Sequence, residues 1–254
     1  MIPDGDTPNA LSIVRCLGEI KKIKVFVLSR DKKHPIRYSR HISKFIYYPK
    51  IGTEEDKLKA IIDAIEETKA DILLPIDIEF IRLVSSNKDV LSKLIALAPV
   101  PEVDAFDKAN DKWLLSKWLK ENNLPHPETI LFKPTDSIDK VISTLTFPII
   151  LKPTIGFGGK GIEIIKDPKE LLNWYNKYNQ AEDYIIQTYI KGYDIDCSVI
   201  SIDGKIIIHT IQKSIKYLTD DPWSYAMEFA DNQDVYKIVQ EIVEKFNWTG
   251  VNNI

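Results

Sequence analysis

The chain has 254 residues, 44% hydrophobic and 28% charged, which supplies enough apolar side chains for a sizeable core and excludes wholesale disorder. Thirty-four basic against 37 acidic side chains leave a formal charge of -3, so there is no global positive field to hold a nucleic acid, and any phosphate must be held locally. No run of about 18 apolar residues and no basic flank joined to an apolar stretch occurs near Met1, which predicts a soluble, cytoplasmic protein without a membrane partner.

The first hundred residues alternate short β-rich runs with amphipathic helical stretches, the pattern of an open α/β sheet covered by helices. Thr7-Pro8 reads as the cap and first position of a helix that carries Leu11, Val14 and Leu17 and ends near Gly18. Strands are predicted at 24–28 and 45–48. A long helix starts at Thr53 with Leu58, Ile61, Ile62 and Ile65 on its apolar side, and a buried strand follows at 71–76. Such a sheet normally opens with a strand, yet only Met1 and Ile2 precede the turn residues Pro3-Asp4-Gly5-Asp6, so the chain is expected to start inside that strand. Cys16 and Cys197 have apolar neighbours and no CxxC spacing, and both read as reduced core residues. His34, His41, His126 and His209 show no HxxxH or HExxH pairing, so a histidine-built zinc site has no support.

After Pro99-Val100-Pro101 the pattern changes. A helix is predicted at 111–122, broken by Leu124-Pro125-His126-Pro127, and strands then dominate, at 128–132, 147–152, 162–165, 184–189, 194–202 and 205–214. Helices are placed near 137–144 and 168–178, the second opened by Asp167-Pro168-Lys169-Glu170, and a last one at 232–246. Asp203-Gly204 marks a tight hairpin, and Gly250 to Ile254 looks like the beginning of a strand. A domain boundary is placed near residue 106.

Only ten glycines occur in the chain, and Gly156, Gly158, Gly159 and Gly161 fall within six residues beside Lys160. Glycine loses the most backbone entropy on folding, so clustering it makes sense where amides approach a ligand closely or a loop must move. The string Gly156-Phe157-Gly158-Gly159-Lys160-Gly161 satisfies GxGxxG, but the strand-like Ile162-Glu163-Ile164-Ile165 follows where a dinucleotide fold needs a helix. A P-loop needs glycine where Thr154 stands and Ser or Thr where Gly161 stands, and neither HRD nor DFG occurs to support a protein kinase. What remains is a strand, a loop and a strand, with Lys152 on the incoming strand. For the cluster alone, a flap over a nucleotide and a mobile surface hairpin with a solvated lysine stand side by side.

Taken together and in order, these residues resemble the ATP-grasp superfamily, specifically its carbamoyl-phosphate-synthetase-like and carboxylate-amine-ligase branch. Asp111-Lys112 at the head of a helix resembles the first phosphate-contacting lysine, Lys152 the second, and Gly156 to Gly161, with Gly158, Gly159, Lys160 and Gly161, the glycine-rich lid. Tyr184 to Gly192 resembles the hinge strand. There the backbone of Thr188, Tyr189 and Ile190 reads the adenine edge and a side chain at Gln187 takes the amino group. The family usually has Glu at that position; Gln keeps an acceptor oxygen without its charge. Asp194 stands where an acidic residue, usually Glu, meets the ribose hydroxyls. Singly, Lys112 also reads as a solvated helix residue, Gln187 and Asp194 as exposed strand positions, Ile190 as core and Asp196 as solvent-facing.

The resemblance implies an α/β chain: a pre-ATP-grasp open sheet domain at 1–106, then an α+β ATP-grasp domain at 107–254, incomplete at its C-terminus. Its flap subdomain would span about 128–186 and its C-terminal subdomain begin at 187. It implies an ATP-dependent ligase in which ATP phosphorylates a small-molecule carboxylate and an amine attacks the acyl phosphate. Mg²⁺ would be required, with ligands expected beyond residue 254. The 254-residue chain is therefore expected to bind ATP and to be inactive alone. No catalytic residue and no metal ligand is assigned, since Asp220, Asp221, Glu228 and Asp231 read as part of an irregular surface or substrate loop. His209, Gln212 and Lys213 are further candidates for the triphosphate or acceptor, and Asp4, Asp6, Arg40 and Asp77 for the acceptor. A homo-oligomer is compatible with the sequence. Two other readings remain: a non-catalytic ATP-binding or regulatory module, favoured by Gln187, and a Rossmann-type sugar-nucleotide transferase, which rests on the first hundred residues only.

Overall fold

Two units divide the chain, Met1–Val103 and Asp104–Ile254. The computed structural model describes residues 1–254 except 50, 51, 134, 157, 179–181 and 218–223, and not the side chains of Tyr217 and Tyr225. Phe157 of the glycine string, and Thr219 to Trp223 with the acidic candidates Asp220 and Asp221, therefore lie outside the described residues.

In the first unit α1 (Ala10–Gly18), β1 (Val25–Ser29), a short 3-10 turn at Pro35–Tyr38, β2 (Ile42–Tyr47), α2 (Glu54–Thr68), β3 (Ile72–Leu73), α3 (Ile78–Ser86), α4 (Lys88–Leu91) and β4 (Ala96–Leu97) follow one another. β1 pairs in parallel with β2, and β3 with β4. Met1 and Ile2 join the two pairs. Ile2 forms a parallel bridge to Val27, the N-terminal amine donates to Ile72 O at 2.6 Å, and Leu74 N donates to Met1 O at 2.8 Å. The spatial order is thus β2, β1, Met1–Ile2, β3, β4, and the opening strand that the pattern requires is present as these two residues.

Alternation along β1 explains the layers. Val25 and Val27 pack with Ala10 and Val14 of α1, whereas Leu28 and Phe26 pack on the other side with Ile61, Ala64 and Ile65 of α2 and with Phe80 and Leu83 of α3. α2 starts where expected, with Thr53 Oγ1 accepting from Asp56 N and the Asp56 carboxylate accepting from Thr53 N. Three expectations change. Thr7 is not the cap of α1: its hydroxyl donates to Asp4 O at 2.9 Å, and Asn9 occupies the cap. Cys16 is exposed, and only Cys197 is buried. The strand expected at 71–76 stops after Leu73, because the next amides turn toward other acceptors.

Those acceptors centre on Asp4, which is fully buried. Its Oδ2 accepts from Ile76 N at 2.8 Å and Asp77 N at 2.6 Å, tying the loop after Ile2 to the loop after β3. Burial pushes the Asp4 carboxyl up to about 6, against the downward pull of those two N–H donors.

The second unit begins with α5 (Val103–Asn110), which spans the junction, and α6 (Lys112–Glu121), capped by Asp111 Oδ1 accepting from Trp113 N and Leu114 N. Then come β5 (Thr129–Phe132), α7 (Ile138–Thr144), β6 (Ile149–Pro153), β7 (Glu163–Ile165), α8 (Pro168–Lys177) and β8 (Tyr184–Thr188). β9 (Ile195–Ile202), β10 (Lys205–Tyr217), β11 (Ser224–Phe229), α9 (Gln233–Phe246) and β12 (Gly250–Asn253) complete it. One antiparallel sheet has the order β5-β8-β6-β7 and the other β11-β10-β9-β12. In the first, Ile149, Leu151, Ile165 and Ile186 face α7 and α8, where Val141, Leu171 and Trp174 close the core. In the second, Asp203 and Gly204, at φ 48° and 73°, make the hairpin expected between β9 and β10. β11, which the sequence reading did not foresee, places Glu228 in a regular strand paired with Lys213, so Glu228 is not in an irregular loop. No helix among the described residues is long and apolar enough to cross a membrane.

The Asp4 tie makes a signed prediction. Because the folded state raises this carboxyl from 3.8 to about 6, folded protein holds the proton more tightly, and stability contributed by Asp4 falls as pH rises between those values. The ceiling is about 3 kcal/mol. Asp4→Asn keeps an oxygen for Ile76 and Asp77 and removes the titration. Urea unfolding of the variant should show a flatter stability profile from about pH 4 to 6 than the wild type; parallel profiles would refute the assignment.

Candidate functional site

Strand parity decides what shares a face. On β6, Ile149 and Leu151 point to the helices, which leaves Ile150 and Lys152 on the opposite face. On β8, Ile186 points to the helices and Gln187 away from them. The register places Gln187 opposite Ile150 and Lys152 opposite Ile185, so Gln187 and Lys152 lie on one open face, about 7 Å apart along the strand direction. A polar amide and an ammonium thus mark two ends of one sheet surface.

Lys112 comes to the same region from α6. Its backbone N–H donates to Thr154 O at 2.9 Å and its Nζ to Gly156 O at 2.7 Å, which fastens the first residue of α6 to the start of the glycine loop. Burial lowers the proton affinity of the Lys112 amine, offset in part by Asp111. Lys152 is depressed as well, by burial first and then by the positive charge of Lys112, while Asp194 pulls it up. The two amines therefore feel each other, with an acidic side chain in range. Lys112 is disfavoured further, since it sits at the positive end of a helix.

Between them runs the loop. Gly156, Gly158, Gly159 and Gly161 have φ of 145°, 72°, 66° and 73°, conformations that side chains rarely adopt. At Gly161 space matters too, because a Cβ would lie 2.8 Å from Pro153 Cγ. Lys160 is exposed on this loop, and Ile162 N closes the turn onto Gly159 O.

The hinge is split in character. Gln187 is buried, not an exposed strand position, and its Nε2 donates to Thr129 Oγ1 on the neighbouring strand at 2.8 Å. Thr188 N donates to Glu128 O and Tyr189 N to Pro148 O. Regular pairing ends there, and Ile190 is 68% exposed, so it is not core. An apolar side chain open to solvent beside a buried amide suits the flat face of a heteroaromatic ring. Asp194 is exposed, accepts Ser214 N at its backbone oxygen, and raises the nearby Asp196 carboxyl after burial has done so.

Of the weaker candidates, Gln212 pairs with Asp196, and Lys213 Nζ lies 4.3 Å from the centre of the Tyr193 ring. His209 lies against Tyr236 of α9 at 4.5 Å; alternation along β10 puts it on the same face as Lys213 and opposite to that of Gln212, so the three do not form one group. In the first unit, Asp6 and Arg30 meet at 3.0 Å and Arg30 holds both oxygens of Glu79 at 2.9 Å, beside the buried Tyr48 hydroxyl. Asp4 and Asp77 belong to this group, whereas Arg40 is exposed beside His41. Arg30, Tyr48 and Glu79 were missed. Their signal was position, just past the C-terminal ends of parallel strands, where open sheets bind ligands.

Paired cations, glycine amides and a buried amide on one surface fit a nucleotide triphosphate. They do not supply a divalent metal ion: among the described residues no group of three or more His, Cys, Asp or Glu side chains is placed to hold one.

A profile of the ATP-grasp domain matches residues 109–254. Over 116 residues, 44% of this chain, the sequence is 24% identical to the carbamoyl phosphate synthase large chain of Clostridium acetobutylicum, and it covers 11% of that protein. The fold is similar to the biotin carboxylase domain of Hydrogenobacter thermophilus 2-oxoglutarate carboxylase, crystallised with MgADP, ADP and bicarbonate. That likeness has a TM-score of 0.72 and 17% identity over 99% of this chain and 59% of that one. N5-carboxyaminoimidazole synthetase from Staphylococcus aureus, complexed with ADP, gives 0.66 at 17% identity over 96% and 62%. At such identities the structures establish the fold, and the chain spans less than two thirds of each.

The depressed Lys152 amine has a consequence for stability. Lys152→Met removes a charge that burial and Lys112 both disfavour, so the thermal midpoint should stay level or rise. Wild-type protein should also gain stability as pH climbs toward the ordinary lysine value of 10.5, because the unfolded chain keeps a proton that the folded one has released. The variant should show a smaller gain, the part that remains coming from the similarly depressed Lys112. A clear drop in its midpoint at neutral pH would mean that the amine is already well paired.

Proposed function

The chain belongs to the ATP-grasp domain family, and from that premise we propose that it binds ATP as part of a ligase joining a small-molecule carboxylate to an amine or related nucleophile. One observation carries the reading: Lys112, at the head of α6, is hydrogen-bonded through its backbone N–H to Thr154 O and through Nζ to Gly156 O, at the start of the glycine loop that leaves β6 just after Lys152.

In this reading the two ammonium groups take oxygens of the phosphate chain, and the amides of Gly158, Gly159 and Gly161 with Lys160 close over it. Binding requires Lys112 Nζ to exchange the Gly156 carbonyl for phosphate, which frees the loop to move onto the ligand. Gln187 and the backbone of Thr188, Tyr189 and Ile190 hold the adenine, and Asp194 takes the ribose. Each group contributes binding and orientation; none moves a proton in the chemical step. ATP, when bound, supplies the phosphoryl group that turns the carboxylate into an acyl phosphate, from which an amine displaces phosphate. We assign Mg²⁺ to the reaction and none of its ligands to a described residue. The first unit is proposed as the pre-ATP-grasp domain, with the Asp4, Asp6, Arg30 and Glu79 group as its polar centre.

Calorimetry of MgATP on this chain tests the binding half. Saturable binding is expected, with Lys112→Met and Lys152→Met each weakening it by about tenfold or more, as for loss of a charge-assisted contact. Wild-type affinity in both variants would overturn the cradle. For the whole protein, ADP release that depends on both a carboxylate and an amine is expected; MgATP binding without such release would favour the non-catalytic module.

A further inference from the structure

The adenine-reading position carries an amide, and an amide, unlike a carboxylate, has two chemically different ends. With its oxygen toward the base, Gln187 accepts from the exocyclic amino group of adenine. With its nitrogen toward the base, it donates to the exocyclic oxygen of guanine. A family member with Glu has no such ambiguity. Something in this chain must decide which end faces the ligand.

We propose that Thr129 is the specificity-determining residue that does so, an inference resting on the reading of Gln187 as the base-reading side chain. Thr129 and Gln187 are directly opposite on β5 and β8. Gln187 Nε2 lies 2.8 Å from Thr129 Oγ1, and Thr129 Oγ1 lies 2.9 Å from Pro127 O. The proton count sets the polarity. A backbone carbonyl can only accept, so the single Thr129 hydroxyl proton is committed to Pro127 O. The hydroxyl oxygen is then left to accept, and only the NH₂ end of Gln187 can donate to it. The amide oxygen is thereby turned away from Thr129, and Gln187 becomes an acceptor toward the base, as a Glu would be.

Burial gives this chain of bonds its force. Gln187 is 7% exposed, so little water competes for its amide, and a reversed amide would set its oxygen against a hydroxyl oxygen whose proton is already used. Thr129 itself touches no ligand in this account; it is a positioning residue. Replacing its hydroxyl with a methyl group removes the acceptor and frees Gln187 to turn either way.

The test is calorimetric binding of MgATP and MgGTP to wild type, Thr129→Val, Gln187→Ala and the double variant Thr129→Val/Gln187→Glu. Wild type should prefer MgATP by about tenfold or more, the discrimination expected of one correctly paired buried polar group. Thr129→Val should bring the ratio close to unity, mainly through gained MgGTP affinity. The double variant should restore the preference, because a carboxylate accepts at both oxygens and needs no lock; a merely structural loss at Thr129 would not be rescued this way. If Thr129→Val keeps the wild-type ratio while Gln187→Ala loses it, the lock is wrong and the base-reading role stands. If Gln187→Ala keeps the ratio, or wild type binds neither nucleotide, the reading of Gln187 fails and the lock with it.

Discussion

Two partly buried ammonium groups placed within reach of each other, one on a strand and one at the head of a helix, are the constraint around which the second unit is arranged. Neither burial nor the helix end favours a cation at Lys112, and Lys112 in turn disfavours one at Lys152. Such an arrangement raises the free energy of the empty protein, and a polyanion lowers it by meeting both charges at once. The acidic side chains in range, Asp111 and Asp194, offset the repulsion without quenching it. Asp111 serves a second purpose by capping α6, which fixes the helix end that aims Lys112 at the loop.

The fold turns that local strain into a surface. Because β6 and β8 alternate between helix-facing apolar residues and their opposite neighbours, every side chain that could meet a ligand emerges on the face away from α7 and α8. The helices bury the other face, with Phe132, Trp174, Tyr178 and Tyr184 packed ring against ring, and so hold the strands at fixed register. A slip of one residue would exchange Lys152 for Leu151 on the open face and put an ammonium into the core. Packing on one side therefore dictates chemistry on the other.

Much of this was legible in the sequence. Thr53 with Asp56, Asp167 with Pro168, and Asp203 with Gly204 are local signals, settled within four residues, and the elements they bound appear where expected. What depends on distant partners was not. Thr7 looks like a helix cap until Asp4 supplies a nearer acceptor for its hydroxyl. Cys16 has apolar neighbours in sequence, yet it lies two positions, about 200° around a helix, from the buried Val14. The strand after Ala70 looks longer than it is because its later amides go to Met1 and to the Asp4 carboxylate, more than 70 positions earlier. Lys152 and the glycine loop could be named from spacing. Thr129 could not, since only the pairing of β5 with β8 brings it to Gln187.

In the proposed reading, the two ends of the open face divide the work of recognition. The lysines act through charge, and charge is indifferent to which base a triphosphate carries, so they supply affinity without identity. The hinge acts through neutral hydrogen bonds in a buried setting, where a mismatched donor or acceptor is costly, so it supplies identity with little affinity of its own. Glu at the hinge would read the base as well but would add a negative charge to a site that must receive a polyanion. Gln avoids that charge, and the cost of avoiding it is an orientation that the side chain cannot set alone. In that reading the Pro127, Thr129 and Gln187 series of hydrogen bonds meets the requirement with one threonine hydroxyl, so that an edge-strand residue with no contact to the phosphates would bear on which nucleotide is accepted.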